Sequence, residues 1–485
     1  MPLNSTYLKH VQGYVDGRWC GADSGATAPV TNPANGEVLA NVPVMGAAEA
    51  ARAVEAAARV VQNPPSLDQR RRWLEAIAAR LTADKNELGR IITLEHGKPL
   101  KEGVGEVEYA AGFFEFFAKN LDALKDHKLP DVIRNCVWTV HHRPAGVAAL
   151  IVPWNFPLGM LAKKLAAAIG AGCATITKPA SLTPLSAIAL WHAMEGLGMP
   201  PGFANLVIGK AGPIGDVLCS HPAVRIISFT GSTETGKVLI EKTAPHIKRL
   251  AMELGGNAPF IVFDDADLDA AVEALMGNKF RSAGQTCVCA NRVYVHRAVS
   301  QSFLEKLRKR VAALKVGDGM AEGTDIGPLV DRAGFDKVAQ HVKDALNRGA
   351  KRLVGGDPAR PAQDWGAFYP PTLLTDVTPE MLACREETFG PLVPVILFEN
   401  EDDVVKRANE TEFGLAAYVF SKDAQRVQRI APRLSFGHVG VNTGTGPTPQ
   451  APFGGMKQSG FGREGGVEGL IEFCEAQVVA SALPA

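Results

Sequence analysis

Between residues 146 and 252 the sequence alternates short apolar runs with segments of helical pattern, and this alternation constrains the fold more than any other feature. Strands are expected at 146–152, 173–177, 204–208, 225–229 and 247–252, and helices at 184–197, 214–219 and 233–242. Strands separated by one helix each make βαβ units and therefore a parallel sheet. Their near-continuous apolar character suits a sheet covered on both faces. Residues 137–143 alternate instead, as a half-exposed strand does.

The flanks follow other patterns. Helices are expected at 47–61, 67–81, 87–94 and 101–121, the last carrying Phe113, Phe114, Phe116 and Phe117 as packing residues. A second α/β region begins near Gly255, with a helix at 267–278, a strand at 292–296 and a helix at 300–314. It continues to about residue 450, before the glycine-rich segment from Pro452 to Arg463 and a tail strand around 477–480. At 485 residues, more than one domain is expected. The 51 Lys+Arg balance the 51 Asp+Glu, which gives no electrostatic reason for a nucleic-acid or anionic-membrane partner. No apolar run is long enough to span a membrane, and the first residues lack a signal pattern, so a cytoplasmic location is expected. The eight cysteines form no C-x-x-C pair, so neither a metal site nor a disulfide scaffold is expected.

Two cysteines stand close together in Gly284-Gln-Thr-Cys-Val-Cys289. A thiol attacks a carbonyl only as its thiolate, whereas most cysteines are small buried hydrophobes. In an extended segment Cys287 and Cys289 would point to one side, which allows two readings of Cys289: a reversible redox partner or a packed second thiol. Phe229-Thr-Gly-Ser232 falls between an expected strand and an expected helix. There Gly231 permits close backbone approach, and Ser232 with the helix N–H groups either meets a phosphate or simply caps the helix. The spacing departs from the G-x-G-x-x-G fingerprint. Lys178, at the end of another strand, is either solvated or a donor to a ribose hydroxyl or 2′-phosphate.

Six segments occur in register along the whole chain: Pro153-Trp-Asn-Phe-Pro157, Thr177-Lys-Pro-Ala180, Phe229-Thr-Gly-Ser232, Met252-Glu-Leu-Gly-Gly-Asn257, Gly284-Gln-Thr-Cys287 and Glu387-Thr-Phe-Gly-Pro391. Together they resemble the aldehyde dehydrogenase superfamily. The stretches 253–267 and 279–291 look most like its succinate-semialdehyde and glutarate-semialdehyde dehydrogenases. The resemblance implies an α/β fold in three parts. These are a Rossmann-like NAD(P)-binding domain (1–124 and 145–254), an α/β catalytic domain (255–471) and a small β oligomerisation arm (125–144 and 472–485). It also implies a homodimer or homotetramer, whose arm would cover an otherwise open sheet edge.

The chemistry that the resemblance implies is NAD(P)-dependent oxidation of an aldehyde to a carboxylate through a cysteine thiohemiacetal and thioester. Cys287 would be the nucleophile, and Asn155 with the Cys287 N–H would hold the oxyanion. Glu253 would be the general base that activates water. Trp154, Lys178, Ser181, Gly231, Ser232, Glu387 and Phe389 would contact the cofactor. NAD-preferring relatives often carry glutamate where this chain has Ser181; serine removes that repulsion, so NADP is expected to be accepted alongside NAD. Semialdehyde enzymes hold the distal carboxylate with two arginines and a serine. Arg281 matches one arginine, Lys163 replaces the other, and Pro447 stands at the serine's position. Succinate, glutarate or 2-oxo semialdehydes and uncharged aldehydes therefore remain open as substrates. A cysteine esterase and a structural protein on the same fold are the readings outside oxidoreductases.

Overall fold

The structure, a computed structural model, describes residues 5–482. Residues 1–4 of the expected cofactor domain and 483–485 of the expected arm lie outside the described residues.

The expected alternation forms an eight-stranded sheet. Its order is Arg18–Cys20, Gly13–Val15, Ala204–Leu206, Ala174–Lys178, Val147–Ile151, Val224–Thr230, Arg249–Glu253 and Gly460–Phe461. The five strands from Ala204–Leu206 to Arg249–Glu253 are parallel. In chain order those five read 3-2-1-4-5 across the sheet, the Rossmann order without its sixth strand. Strand order therefore reverses between Val147–Ile151 and Val224–Thr230, and ligands of open α/β sheets bind beyond the carboxyl ends at such a switch point. The loops that follow these two strands, from Val152 and from Gly231, carry residues of the first and third of the recognised motifs.

Both edges of this sheet differ from the sequence expectation. Gly13–Val15 and Arg18–Cys20 form a hairpin through Asp16 and Gly17, at φ 52° and 80°, the backbone that an Asp-Gly turn with two left-handed residues supplies. At the other edge, Gly460–Phe461 pairs antiparallel with Arg249–Glu253. Leu470, Phe473 and Cys474 join the first hydrophobic core. The segment after Phe453, expected with the second α/β region, thus returns to the first sheet.

One helix, Pro157–Ala171, lies in the middle of the first core with all its residues buried. A helix buried all round has no polar face, so its pattern carries no amphipathic signature. It packs on Leu100–Asn120, where Phe113, Phe114 and Phe117 are fully buried as expected.

A second core surrounds a seven-stranded sheet ordered Lys351–Val354, Thr372–Thr375, Leu392–Phe398, Ala290–His296, Ala258–Val262, Ala416–Phe420 and His438–Val441. A separate three-stranded sheet pairs His127–Lys128 and Cys474–Ala482 with Cys136–Pro144. The pairing with Cys474–Ala482 runs in unbroken register from Cys474↔Pro144 to Ala482↔Cys136. Among the described residues no helix is long and apolar enough to cross a membrane.

Candidate active site

Cys287 stands on a turn between the short 3-10 segment Arg281–Gly284 and the strand Ala290–His296. Three consecutive residues before it, Ser282, Ala283 and Gly284, are left-handed, with φ of 53°, 55° and 76°. Two of them carry side chains, so the surroundings must hold them there. Glu102 accepts the Ser282 N–H at 2.7 Å. At Gly284 a Cβ would lie 2.2 Å from the Gly390 carbonyl, so this glycine is required by contact as well as by φ. Gly256 has a similar reason: a Cβ there would lie 2.3 Å from the Cys287 carbonyl oxygen.

The Cys289 N–H closes the turn on the Thr286 carbonyl at 3.1 Å. The extended backbone that would put both thiols on one side is therefore absent, because the chain reverses at Cys287–Val288. Cys289 is buried, with its sulfur 3.7 Å from the Lys279 carbonyl, and lines neither of the cavities described next.

Two cavities meet at Cys287. The first, about 340 Å³, is walled by Tyr109, Phe156, Met160, Arg281, Pro447 and Phe453 among others. The Arg281 guanidinium sits 5.1 Å from the centre of the Phe156 ring. Lys163 also lines this cavity, but its ammonium is ion-paired with buried Glu464, which holds Lys164 as well.

The second cavity, about 490 Å³, brings together Trp154, Asn155, Gly231, Ser232, Glu387 and Phe389. Cys287 and Met160 belong to both linings. Trp154 meets Phe389 edge-on, with ring centres 6.0 Å apart. Ser232 caps the helix Thr233–Thr243 by accepting the Thr235 N–H at 3.2 Å while it stands on the wall of this cavity. At Gly231 a Cβ would strike the Phe229 ring at 2.3 Å. At Gly255 a Cβ would come within 3.0 Å of Glu387 Oε2 and within 3.3 Å of Thr233 Oγ1, crowding this cavity. A long cleft at the switch point, with a capped helix N-terminus and a carboxylate on its wall, fits the phosphates and ribose of a dinucleotide.

Lys178, the last residue of the neighbouring strand Ala174–Lys178, and Ser181 just past it lie outside this lining. Lys178 is buried and donates to the Pro179 carbonyl at 2.8 Å. Burial pulls its ammonium down to about 8. Exposed Ser181 bonds the Gly209 carbonyl at 3.3 Å.

The titratable groups around the thiol are tuned mainly by burial. It pushes the Cys287 thiol up to about 12, with Lys163 pulling the other way. Glu387 accepts the Gly256 N–H at 2.9 Å and is pushed up to about 8 by burial. Glu253 ends the strand Arg249–Glu253, buried, with no hydrogen bond to either oxygen among the described residues. Burial and then the Glu464 charge raise it well above the ordinary carboxylate range, against Lys163 and Lys164. It lies outside both linings, yet its charge acts on Cys287. Asn155 donates from Nδ2 to the Gln285 carbonyl at 3.0 Å, which holds the amide against the loop that carries the thiol.

Sequence reasoning missed Lys98, Glu102, Glu106 and Glu464, which surround these groups. Their charges would have been taken for solvated positions, and they act on Asn155, Leu158, Ser282 and Lys163, far away in the chain. Among the described residues no group of three or more His, Cys, Asp or Glu is placed to hold a metal ion.

The chain is similar to known proteins along its whole length. A sequence model described as "Aldehyde dehydrogenase family" matches residues 19–479. A 3-sulfolactaldehyde dehydrogenase of Pseudomonas putida is 47% identical, over 99% of this chain and 98% of that one. An NADP(+) succinate-semialdehyde dehydrogenase of Escherichia coli is 45% identical over the full length of both chains. The crystal structure of an oxidoreductase from Marinobacter aquaeolei superposes with a TM-score of 0.96 at 55% identity, covering 99% of each chain. With its thiol on the wall between two clefts and this likeness along its whole length, the chain belongs to the aldehyde dehydrogenase family and is one of its NAD(P)-dependent enzymes.

Proposed function

We propose that the enzyme oxidises a short aldehyde bearing a distal anionic group, a semialdehyde such as succinate semialdehyde, to the corresponding acid. The observation that carries this reading is the place of Cys287, shared by both cavities, with Arg281 on the wall of the first. The aldehyde enters the first cavity and the dinucleotide occupies the second. Bound NAD(P)+ supplies the hydride acceptor.

The chain's own residues do the rest. Cys287 gives up its proton to solvent and its sulfur bonds the aldehyde carbon as the carbonyl π bond opens to an oxyanion; loss of hydride from that carbon then leaves the thioester. The oxyanion is held by the Asn155 amide and the Cys287 N–H, preorganised donors where charge develops. Glu253, ionised, takes a proton from the water that hydrolyses the thioester. Glu387 and Ser232 hold the cofactor's ribose and phosphate, between Trp154 and Phe389. Arg281 pairs with the distal anion, while much of the Lys163 charge is already taken up by Glu464. The relatives named for succinate semialdehyde and 3-sulfolactaldehyde support a class of short aldehydes with an anionic end.

We assign the first sheet, with the segment that returns to it, to cofactor binding and the second to catalysis. The three-stranded arm forms the contact between subunits of a dimer or tetramer; Val478 and Val479 are 52% and 41% exposed on its outer strand. Lys178 and Ser181 admit the NADP 2′-phosphate. Ser181→Glu therefore lowers kcat/KM for NADP far more than for NAD.

The test is a panel of aldehydes with both cofactors, followed by reduced-cofactor absorbance. Arg281→Met should raise KM for succinate semialdehyde at least tenfold, since a charge-assisted bond is worth roughly 1.5–3 kcal/mol, and leave an uncharged aldehyde unaffected. Equal losses on charged and uncharged aldehydes overturn the anionic assignment.

A further inference from the structure

The loop that carries Asn155 runs between Pro153 and Pro157, and Asn155 Oδ1 accepts the Phe156 N–H at 3.1 Å. The helix Pro157–Ala171 starts immediately after it, and its N-cap, Phe156, offers no capping side chain. The first N–H groups of such a helix need acceptors from elsewhere. They find them in Glu106, on the helix Leu100–Asn120: its Oε1 accepts the N–H groups of Leu158 at 2.9 Å and Gly159 at 3.0 Å. A carboxylate at a helix N-terminus is also favoured by the helix dipole.

The other oxygen of Glu106 binds Lys98. The Lys98 ammonium lies 2.6 Å from Glu106 Oε2, and neither side chain is exposed at all. Lys98 then donates to the backbone carbonyl of Asn155 itself, at 2.8 Å, and lies 3.9 Å from the centre of the Phe156 ring. One buried ion pair therefore grips Asn155, Phe156, Leu158 and Gly159 together. Beyond it, the Asn155 amide points at the Gln285 carbonyl, two residues before Cys287. Glu106 also stands on the wall of the first cavity, whereas the Lys98 side chain lines neither, so Lys98 reaches the reacting atoms only through Glu106 and this loop.

We propose that Lys98 and Glu106 are positioning residues that fix the Asn155 amide relative to Cys287. The inference rests on the oxyanion role given to Asn155 above. A lysine that only filled the core would be matched by an apolar side chain of similar length. A lysine that aims the amide would not, because misplacing a donor by about 1 Å costs roughly a hundredfold in rate.

The experiment is a double-mutant cycle on the full-length enzyme, using Lys98→Met and Asn155→Ala. Lys98→Met should lower kcat roughly ten- to hundredfold with KM for aldehyde and cofactor within about twofold. In the Asn155→Ala background the same change should add less than about twofold, because both act through one group. Lys98→Arg should restore part of the loss. If Lys98→Met alone does not fold, because Glu106 is left unpaired in the core, Lys98→Met with Glu106→Gln replaces it; the glutamine oxygen still caps the helix. Unchanged kcat in the folded variant, or effects that multiply in the double mutant, overturn the inference. If Asn155→Ala alone leaves kcat unchanged, the oxyanion role fails and the inference falls with it. If Asn155→Ala lowers kcat and Lys98→Met does not, only the inference fails.

Discussion

The ammonium of Lys163 faces the first cavity and is ion-paired with Glu464, a residue of the segment that returns to the first sheet late in the chain. The same carboxylate binds Lys164 with its other oxygen. Two cations on one anion leave net positive charge beside Cys287, and Lys163 is the first group to offset the burial that raises the thiol. Lys163→Met should therefore move the thiol further upward while Glu464 keeps Lys164 as partner. Alkylation of Cys287 by iodoacetamide at mildly alkaline pH should slow by roughly three- to tenfold, since one unit of pKa is tenfold in thiolate. An unchanged alkylation rate would show that the Lys163 charge does not reach the sulfur.

Glu253 acts on the thiol in the opposite sense, its charge raising Cys287. Burial and the charge of Glu464 raise its carboxyl, so the neutral form persists above the ordinary carboxylate range. A general base works only when ionised, so the rate of thioester hydrolysis should climb with pH through that raised value and be lost below it. Glu253→Gln should abolish this limb and lower steady-state turnover by roughly 10²–10⁴. Stopped-flow measurement should still find the first-turnover burst of reduced cofactor. Wild-type turnover in the variant would remove Glu253 from the mechanism.

The sequence already disclosed the parallel sheet, the position of the thiol and several residues that line the second cavity, because each has a local mark. Apolar runs spaced by helices mark the strands, and Gly231, Gly255, Gly256 and Gly284 mark places where the backbone is approached closely or turns left. The helix Pro157–Ala171 had no such mark, since burial on every side erases the 3.6-residue pattern. Nor had Lys98, Glu106 and Glu464: their charges look solvated until a helix or strand remote in sequence closes over them. The expectation that Cys287 and Cys289 share one side of an extended segment erred for a different reason. Periodicity places side chains only when the backbone type is right, and Thr286–Cys289 is a turn where a strand was assumed.

The absence of a side chain at Gly255 can be tested directly. Its φ is not in the left-handed region, so alanine is permitted by the backbone, and any effect comes from the space its Cβ takes. That atom would press on Glu387, Phe413 and Thr233, all on the wall of the second cavity. Overpacking of this kind costs about 1–3 kcal/mol. Gly255→Ala should therefore raise KM for the dinucleotide by roughly five- to a hundredfold. Titration of cofactor binding by fluorescence separates this from chemistry, and unchanged affinity would mean that the crowded oxygen of Glu387 is not a cofactor contact.

Glu95 offers a stability prediction away from the reacting atoms. It caps the helix Leu185–Met194, accepting the N–H groups of Leu185 at 2.7 Å and Ser186 at 2.9 Å, and the Ser186 hydroxyl. Burial nonetheless wins over these donors and raises its carboxyl to about 8. The folded protein therefore keeps a proton that the unfolded chain releases above the ordinary value of 4.5. The stability this contributes is full below 4.5 and is lost as pH rises toward about 8, at up to about 1.4 kcal/mol per pH unit. Glu95→Gln removes the titration and keeps an oxygen for the cap. Its Tm should fall less than that of the wild type between about pH 5 and about pH 8, with kcat unchanged. Glu387 titrates with the same sign but is present in both proteins, so the difference between the two melting curves isolates Glu95. Equal losses of Tm would mean that Glu95 is already ionised at pH 5, held there by the helix it caps.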